Sequence, residues 1–399
     1  MRVLVISHTY IVDLNCEKLR ALAASEDVEV TVVVPKRWRP GGVQNRIIEP
    51  SAIADGRFRR VPVANWSENN QGLLCFKPDL VKLLKTFRPH VIQVEQGSKS
   101  LAYAQAITLN RLLRLGGKTL FFTWWNLPYS LKFPISLLER YNLHHTDGVV
   151  VGNQDGADIL RQRSYSGPIR VMPQLGVDER LFQPQFQPEL ARQLGFLPEE
   201  FVIGFVGRFV PEKGLLTLWQ ALDKLRHSPR PWRCLMLGRG PLQEQLEQQA
   251  KDWGLQERIT FIESVPHDEV PRYINLMHTL VLPSETTYQF KTLTAAGWKE
   301  QFGHVLIEAM ACGVPVIGSD SGEIPHVIGE AGLVFPEGNA GALADCLRTL
   351  MEQPETHATL AQKGLDRALT HYTNRALAQQ LLDFYQELMQ NPQRGSGAA

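Results

Sequence analysis

The order of apolar segments constrains this chain more than any other feature of its sequence. Short, continuously apolar segments recur from the first residues onward, namely "RVLVISH", "EVTVVVP", "HVIQVEQ", "KTLFFTWW", "DGVVVGN" and "IRVMPQLG". Segments with helical spacing lie between several of them, such as "PDLVKLLKTFRP" and "LAYAQAITLNRLLRLGG". Strands that are apolar on both faces and separated by helices are typical of parallel βα units. The first part of the chain is therefore predicted to be a doubly wound α/β domain.

The same pattern begins again after a Pro- and Gln-rich segment from Asp178 to Glu200. The second strand series is "FVIGFVGR", "RCLMLGRG", "RITFIES", "LVLPSE", "PVIGSD" and "GLVFPEG". We predict two Rossmann-like domains, residues 1–180 and 181–374 with the linker in the second, facing each other across a cleft. Such sheets bind ligands at the carboxyl ends of their strands. A last helix from Arg375 is expected to return to the first domain, within a terminal segment 375–399 that ends in a disordered tail.

Length and cysteine content agree with this organisation. The 399 residues exceed the roughly 250–300 at which one core stops growing. The five cysteines are odd in number and form no C-x-x-C pair, so we expect a cytoplasmic protein without disulfides or a zinc site. No apolar run approaches the roughly 20 residues of a membrane-spanning helix, and "MRVLVIS" is too short for a signal peptide.

Charge is distributed unevenly along the chain. Residues 1–180 contain 24 Lys+Arg and 16 Asp+Glu, a balance of +8, whereas the remainder contains 18 and 25, a balance of −7. Basic residues Arg111, Arg114 and Lys118, with interspersed leucines, are predicted to lie on one helix, either as a membrane-surface stripe or as part of a helix that covers the sheet. A basic half would suit an anionic membrane surface or an anionic acceptor. Solvated basic faces without a partner explain the same pattern.

The first candidate site is the stretch "GFVGRFVPEKG", in which a strand ends at a glycine-containing turn. Gly207 lies in that turn, and Arg208 and Lys213 follow it at the start of a helix. Two cations at a strand-to-helix turn can hold a diphosphate. The spacing is neither G-x-G-x-x-G nor a P-loop, so glycines alone do not identify the ligand. The alternative is that both cations are ordinary surface charges.

The second candidate site is "KEQFGHVLIEAMACGVPVIGSDSGEIP". Phe302, Gly303 and His304 are predicted to begin a helix whose first backbone N–H groups bind phosphate, and Gly303 permits close approach. Glu300 precedes the helix and can reach sugar hydroxyls. Glu308 lies about one and a half turns inside it and suits a ribose diol. The alternative makes Glu300 a capping acid and Glu308 a solvated helix residue.

Together with "LMLGRGPLQEQL", "ESVPHDEVPRYI" and "LVLPSE", these stretches resemble the carboxyl domain of the retaining glycosyltransferases of family four, which have the GT-B fold. The motifs occur in the family's order over about residues 200–340. The amino half resembles the family more loosely, through its strand rhythm and "GVDERLFQP".

The resemblance implies roles at matching positions of this chain. Arg208 and Lys213 match the pair that holds the donor diphosphate. Glu300 and Glu308 match the two glutamates of the E-x7-E signature, which contact the donor sugar and the ribose. The remaining matches are the backbone over the distal phosphate, at Phe302, Gly303 and His304, and the usual place of the nucleobase, at Ser264, Val265 and Pro266.

The resemblance also implies an activity. It is front-face, retaining transfer of a sugar from a UDP- or GDP-sugar to a hydroxyl of a glycan or lipid-linked glycan, as in polysaccharide biosynthesis. Arg208, Lys213 and the helix N-terminus would stabilise charge on the leaving diphosphate. Such enzymes need no divalent metal, and the chain contains no Asp-x-Asp. No nucleic-acid partner is expected.

The acceptor side departs from the family pattern. Relatives commonly have a glycine-rich loop after the first strand, where this chain has "SHTYIVDLNCEKL" with His8. They commonly have a histidine after the "KTLFF" strand, where this chain has "TWWNLPYS" with Trp125 and Asn126. These three residues are the acceptor-side candidates. The paired tryptophans could stack on a sugar or shape a lipid-facing rim, but core packing is the favoured use, and a structural role suits His8 as well. The stretch "ETTYQFKTLTAAGW" is interpreted as an insertion at the donor side.

Two alternative functions use the same architecture. A sugar-nucleotide epimerase would convert the donor without any acceptor. A non-catalytic module that binds a glycan or a protein partner would not turn over a donor at all. The presence of Arg208, Lys213, Glu300 and Glu308 together favours the transferase.

Overall fold

The structure is a computed structural model that describes residues 1–40, 46–291 and 296–390. The chain divides into two compact units. An amino domain comprises Met1–Gly176 and the chain from Asn374 onward, and a carboxyl domain comprises Val177–Thr373.

The amino domain is built on an eight-stranded sheet. Its strands are β1 (Arg2–Ile6), β2 (Glu29–Pro35), β3 (Ile53–Asp55), β4 (Phe58–Val63), β5 (Val91–Val94), β6 (Lys118–Thr123), β7 (Gly148–Val151) and β8 (Ile169–Val171). Its first five helices are α1 (Glu17–Ala23), α2 (Asp79–Phe87), α3 (Leu101–Leu112), α4 (Ile135–His144) and α5 (Gln154–Gln162). The strand order is β3-β4-β2-β1-β5-β6-β7-β8, and every pair except β3–β4 is parallel.

Two strands of this sheet were not predicted from the sequence. In β4, the apolar sequence is interrupted by Arg59 and Arg60, so no continuous apolar run marks the strand. Arg60 is nevertheless buried and pairs with Asp13. The three-residue β3 is too short for any periodicity. Lys118 also differs from its predicted place beside Arg111 and Arg114, because it begins β6 and is buried near Asp147.

The carboxyl domain is built on a six-stranded parallel sheet with a separate hairpin. Its strands are β9 (Phe201–Val206), β10 (Trp232–Leu237), β11 (Ile259–Ile262), β12 (Thr279–Leu282), the hairpin β13 (Thr287–Lys291) and β14 (Ala296–Trp298), β15 (Val316–Ser319) and β16 (Gly332–Phe335). Its helices are α6 (Pro188–Gln193), α7 (Leu215–Lys224), α8 (Gln243–Asp252), α9 (Val270–Ile274), α10 (His304–Ala311), α11 (Ile324–Ile328), α12 (Ala340–Glu352) and α13 (Pro354–Arg367).

The last helix, α14 (Asn374–Gln390), belongs to the amino domain. Its apolar positions Leu377, Leu381, Tyr385 and Leu388 recur at helical spacing and are buried in that domain's core. The domain division falls after Gly176 rather than after residue 180, because Val177 already pairs with Thr373 inside the carboxyl domain. The predicted linker likewise lies in the carboxyl domain and contains α6.

Candidate functional site

The candidate site lies where the strand order of the carboxyl sheet changes direction. The order is β11-β10-β9-β12-β15-β16, so the chain runs outward to one side from β9 and to the other side from β12. In doubly wound sheets, ligands bind outside the carboxyl ends of the strands at such a point. Arg208 follows β9 and Ser284 follows β12, so both flank this switch point.

Glycines make the turn after β9 possible. Gly207 has φ 154° and Gly238, which follows the neighbouring β10, has φ 143°. A Cβ on Gly238 would lie 1.9 Å from the Gly207 carbonyl oxygen. The backbones at Gly207 and Gly238 therefore approach each other closely at the edge of the sheet, next to Arg208. Gly207 acts here through its backbone, as its place in the predicted turn requires.

Arg208 has a side chain that is 60% exposed at this edge. Within the described part of the chain its guanidinium pairs with Glu212, at 3.7 Å from Nη2 to Oε1. An ion pair this long and this exposed contributes little to stability. The guanidinium is therefore available to a ligand, and its two-pronged donor geometry suits phosphate oxygens.

Lys213 is held at the switch point by the backbone that follows it. It ends a short 3-10 turn, Pro211–Lys213, and Gly214 follows with φ 64° before α7 begins. A Cβ on Gly214 would lie 1.8 Å from the Pro283 carbonyl oxygen. Only glycine therefore allows the turn after β9 to contact the segment after β12, and this contact fixes the position of Lys213.

A buried ion pair forms the centre of the site. Lys213 Nζ lies 2.5 Å from Glu300 Oε2, and the Ser284 hydroxyl donates to the same oxygen at 2.7 Å. Glu300 is only 6% exposed. The Lys213 ammonium also lies 5.2 Å from the ring centroid of Trp298. Lys213 and Ser284, from two other segments of the chain, thus both donate to one carboxylate and fix its direction.

The helix N-terminus differs slightly from the prediction. Gly303, at φ 83°, is the N-cap, and α10 begins at His304, so Phe302 and Gly303 precede the helix. The Phe302 side chain is buried, with its ring centroid 5.7 Å from that of Tyr372. Phe302 therefore contributes packing and backbone to the site. Gly303 has no side chain with which to cap α10, which leaves this end suited to an anion.

Glu308 lies inside α10 and is partly buried. Burial raises the pKa of its carboxyl group to about 7. No described residue forms an ion pair or a side-chain hydrogen bond with it. A carboxylate in this state gains from hydroxyl donors, such as those of a ribose, because they favour its charged form.

The predicted nucleobase segment follows β11, the edge strand of the sheet. Ser264 and Pro266 are exposed and Val265 is partly buried. The Pro266 carbonyl accepts a hydrogen bond from the Glu269 amide at 3.0 Å, which forms the turn into α9. In the sheet, β11 is two strands away from β9, which precedes Arg208, so the segment lies at the same edge as Arg208.

The acceptor-side candidates lie at the carboxyl edge of the amino sheet. His8 follows β1, and burial lowers the pKa of its imidazole to about 4. Trp125 and the buried Asn126 follow β6. Trp124 packs edge-on against Phe122, at 5.0 Å between ring centroids, which is a structural role. The arrangement in which the two domains face each other across a cleft stays a prediction.

Sequence reasoning missed two residues at the centre of the site. Ser284 carries a weak signal, since it follows a buried strand at the edge where ligands bind. Trp298 lies in the predicted insertion, which forms the hairpin of β13 and β14, with residues 292–295 outside the described residues. Its contact with Lys213 joins positions far apart in sequence, so no local pattern indicates it.

Comparisons with known proteins cover the domain that contains this site. The sequence model of the glycosyl transferases group 1 family matches residues 186–367. A GDP-mannose-dependent alpha-(1-6)-phosphatidylinositol monomannoside mannosyltransferase of Mycolicibacterium smegmatis is 29% identical over 56% of this chain and 58% of its own length. A D-inositol 3-phosphate glycosyltransferase of Corynebacterium glutamicum is 27% identical over 64% of this chain and 60% of its own length. The chain thus spans less than two thirds of the length of these relatives.

Solved structures agree with the fold over almost the whole chain. Sucrose-phosphate synthase from Thermosynechococcus elongatus has a TM-score of 0.69 at 22% identity and covers 98% of this chain and 99% of its own. Anabaena HepE in complex with UDP has a TM-score of 0.67 at 18% identity, over 97% and 99%. At these identities the likeness shows the fold alone, and it confirms the prediction of two Rossmann-like domains of the GT-B type. The match to the glycosyl transferases group 1 model, over residues 186–367, falls within the carboxyl domain.

Proposed function

We propose that this chain is a metal-independent, retaining glycosyltransferase that moves a sugar from a UDP- or GDP-sugar to a hydroxyl of a glycan or lipid-linked glycan. The observation that carries the proposal is the Lys213–Glu300 pair at the switch point, 2.5 Å apart, with the exposed Arg208 at the same edge. The named activities of the relatives, one GDP-mannose-dependent, and the UDP bound to HepE support a nucleotide-sugar donor.

The cationic groups would act on the leaving group. As the bond to the diphosphate breaks, negative charge grows on its oxygens, and Arg208, Lys213 and the N-terminus of α10 would stabilise that charge. These groups would take the part that a metal ion plays in other transferases. Gly303 would let a phosphate approach the backbone without meeting a Cβ.

Glu300 would orient the donor sugar rather than attack it. Its Oε2 accepts hydrogen bonds from both Lys213 and Ser284, and such a carboxylate is a poor nucleophile because its charge is already neutralised. Glu308 would bind the ribose, and the segment from Ser264 to Pro266 would contact the base. The acceptor hydroxyl would then attack from the face that the diphosphate leaves, and the configuration would be retained.

Nucleotide binding and turnover test this proposal together. The chain should be stabilised against heat by UDP or GDP, because a ligand of the folded state alone raises its stability. With a mixed panel of UDP- and GDP-sugars and glycan acceptors, NMR should show a product with the anomeric configuration of the donor. Donor isomerisation without acceptor would instead indicate an epimerase. Nucleotide binding without any turnover across the panel would indicate a binding module.

We also propose a cytoplasmic location with peripheral contact to an anionic membrane through the basic amino domain. No described helix is long and apolar enough to cross a bilayer. Leu112 is an exposed apolar residue beside Arg111, on the end of α3. Such a pairing suits a membrane surface. Co-sedimentation should increase with the fraction of phosphatidylserine in vesicles, and equal sedimentation with neutral vesicles would contradict this contact.

A further inference from the structure

A lysine in the amino domain has a buried ammonium group without a hydrogen-bond acceptor among the described residues. Lys99 lies between β5 and α3, and its Nζ is 4.1 Å from the ring centroid of Trp125 and 3.8 Å from that of Tyr129. The Nζ atom is inaccessible to water and has no hydrogen-bond acceptor among the described residues. Two aromatic faces attract a cation, yet they replace only part of the hydration that an ammonium loses on burial.

The nearby carboxylate cannot supply the missing partner. Glu139 is 2% exposed, and Arg163 Nε donates to its Oε2 at 2.6 Å. Its Oε1 accepts from the Ser98 hydroxyl at 2.7 Å and from the Tyr129 hydroxyl. Both oxygens are thus engaged, and Lys99 forms no ion pair in the part of the chain that the structure describes. The cluster holds two cations and one anion.

A second donor lacks an acceptor in the same loop. Gln96 Nε2 is buried and unpaired among the described residues, while its Oε1 accepts from the Ser100 hydroxyl at 3.2 Å. Buried donors without partners are rare in folded proteins, and binding of a ligand is one explanation for such a group. Lys99 and Gln96 lie three residues apart, and one of these two donors is cationic. A negatively charged hydrogen-bond acceptor therefore suits both of them.

The position of this loop is that of a ligand site. The amino sheet changes direction between β1 and β5, and the loop follows β5. The residue after β5, Glu95, donates its amide to the Ile6 carbonyl at the end of β1, at 2.9 Å. Two more buried, unpaired nitrogens follow the adjacent strands, His8 Nδ1 after β1 and Trp38 Nε1 after β2. Ligands of doubly wound sheets bind at this place.

From these contacts we infer that Lys99 and Gln96 form an anion subsite, and that the acceptor of this enzyme carries a phosphate or carboxylate group that binds there. The identification of the bound molecule as the acceptor rests on the proposed function, whereas the anion subsite itself does not depend on it. The rings that cover Lys99 belong to the irregular stretch between β6 and α4. Trp125 and Tyr129 can therefore shift to admit an anion without unfolding a helix or strand.

Titration with simple anions tests the subsite. Inorganic phosphate and acetate, at constant ionic strength with chloride, are added to the full chain carrying Arg208→Ala, and tryptophan fluorescence is followed because Trp125 contacts Lys99. We expect saturable binding of at least one anion, at least tenfold weaker after Lys99→Gln. Lys85→Gln, on the exposed face of α2, is the matched control and should bind as before. Whichever anion binds identifies the group as phosphate or carboxylate.

Two results would overturn the inference. One is no saturable binding of either anion, and the other is equal binding by Lys99→Gln and Lys85→Gln. Lys99→Gln is also made in the chain that keeps Arg208. Stabilisation of that variant by UDP or GDP shows that the Lys99 substitution leaves the carboxyl domain folded. Lack of nucleotide binding with intact anion binding would contradict the proposed function and leave the subsite standing.

Discussion

The two domains present ligand-binding edges of the same kind but in different states. In the carboxyl domain the charges at the switch point are already paired, with Lys213 and Ser284 on Glu300. In the amino domain the Lys99 Nζ and Gln96 Nε2 atoms are buried without hydrogen-bond acceptors among the described residues. The difference indicates that the carboxyl edge is preorganised before a ligand binds, whereas the amino edge is completed by its ligand.

Removal of Glu300 should have the largest effect. Glu300→Ala leaves Lys213 and Ser284 without their acceptor and removes the group that orients the sugar, so we expect turnover to fall at least about a thousandfold. The measurement is initial rate with saturating donor, and circular dichroism checks the fold. Glu330→Ala, an exposed glutamate before β16, is the control. A rate like that of the unchanged chain with every plausible donor would show that the pair is structural.

Gly214 tests whether backbone contact preorganises the carboxyl edge. Gly214→Ala places a Cβ 1.8 Å from the Pro283 carbonyl oxygen and also strains φ, so we expect a loss of roughly 2–4 kcal/mol in the free energy of unfolding. Gly254→Ala is the matched control, since Gly254 has φ 67° and a Cβ added there would meet no atom within 4 Å. Its loss should be only about 1 kcal/mol. Equal losses in urea denaturation would mean that the contact with Pro283 is unimportant.

Glu308 gives the smallest effect and a pH dependence. Burial raises the pKa of its carboxyl to about 7 from the ordinary 4.5, so the folded state binds more protons than the unfolded state between these values. Stability should therefore fall by roughly 1–3 kcal/mol as pH rises from about 4.5 to 7. Glu308→Gln should flatten this part of the curve in denaturation experiments. A slope unchanged by the substitution would show that Glu308 titrates at its ordinary pKa.

Much of the fold followed from the sequence because the signals are local. Every apolar segment singled out as a strand contains a strand, since continuous apolar runs are typical of strands in covered parallel sheets. The exceptions have physical reasons. In β4, Arg59 and the buried Arg60 interrupt the apolar pattern, and burial of Arg60 is made possible by Asp13, a partner 47 positions away.

The site divides in the same way. Arg208, Lys213 and Glu300 lie in short motifs that adjoin strand or helix ends, so their place could be predicted. The contact of Lys213 with Trp298 and the cluster around Lys99 join residues from separate segments. Such contacts depend on the packed structure, and a single sequence contains no periodicity that indicates them.

We propose that cationic side chains at the carboxyl switch point bind the diphosphate of a donor. Arg208 tests it most directly, because its exposed side chain contributes little to stability. In calorimetric titrations with UDP and GDP, Arg208→Ala should bind about ten- to a hundredfold more weakly, as expected for loss of a charge-assisted hydrogen bond. Lys251→Ala, at the far end of α8, should bind as the unchanged chain does. Equal affinity of Arg208→Ala and Lys251→Ala for the nucleotide would show that Arg208 does not bind the diphosphate.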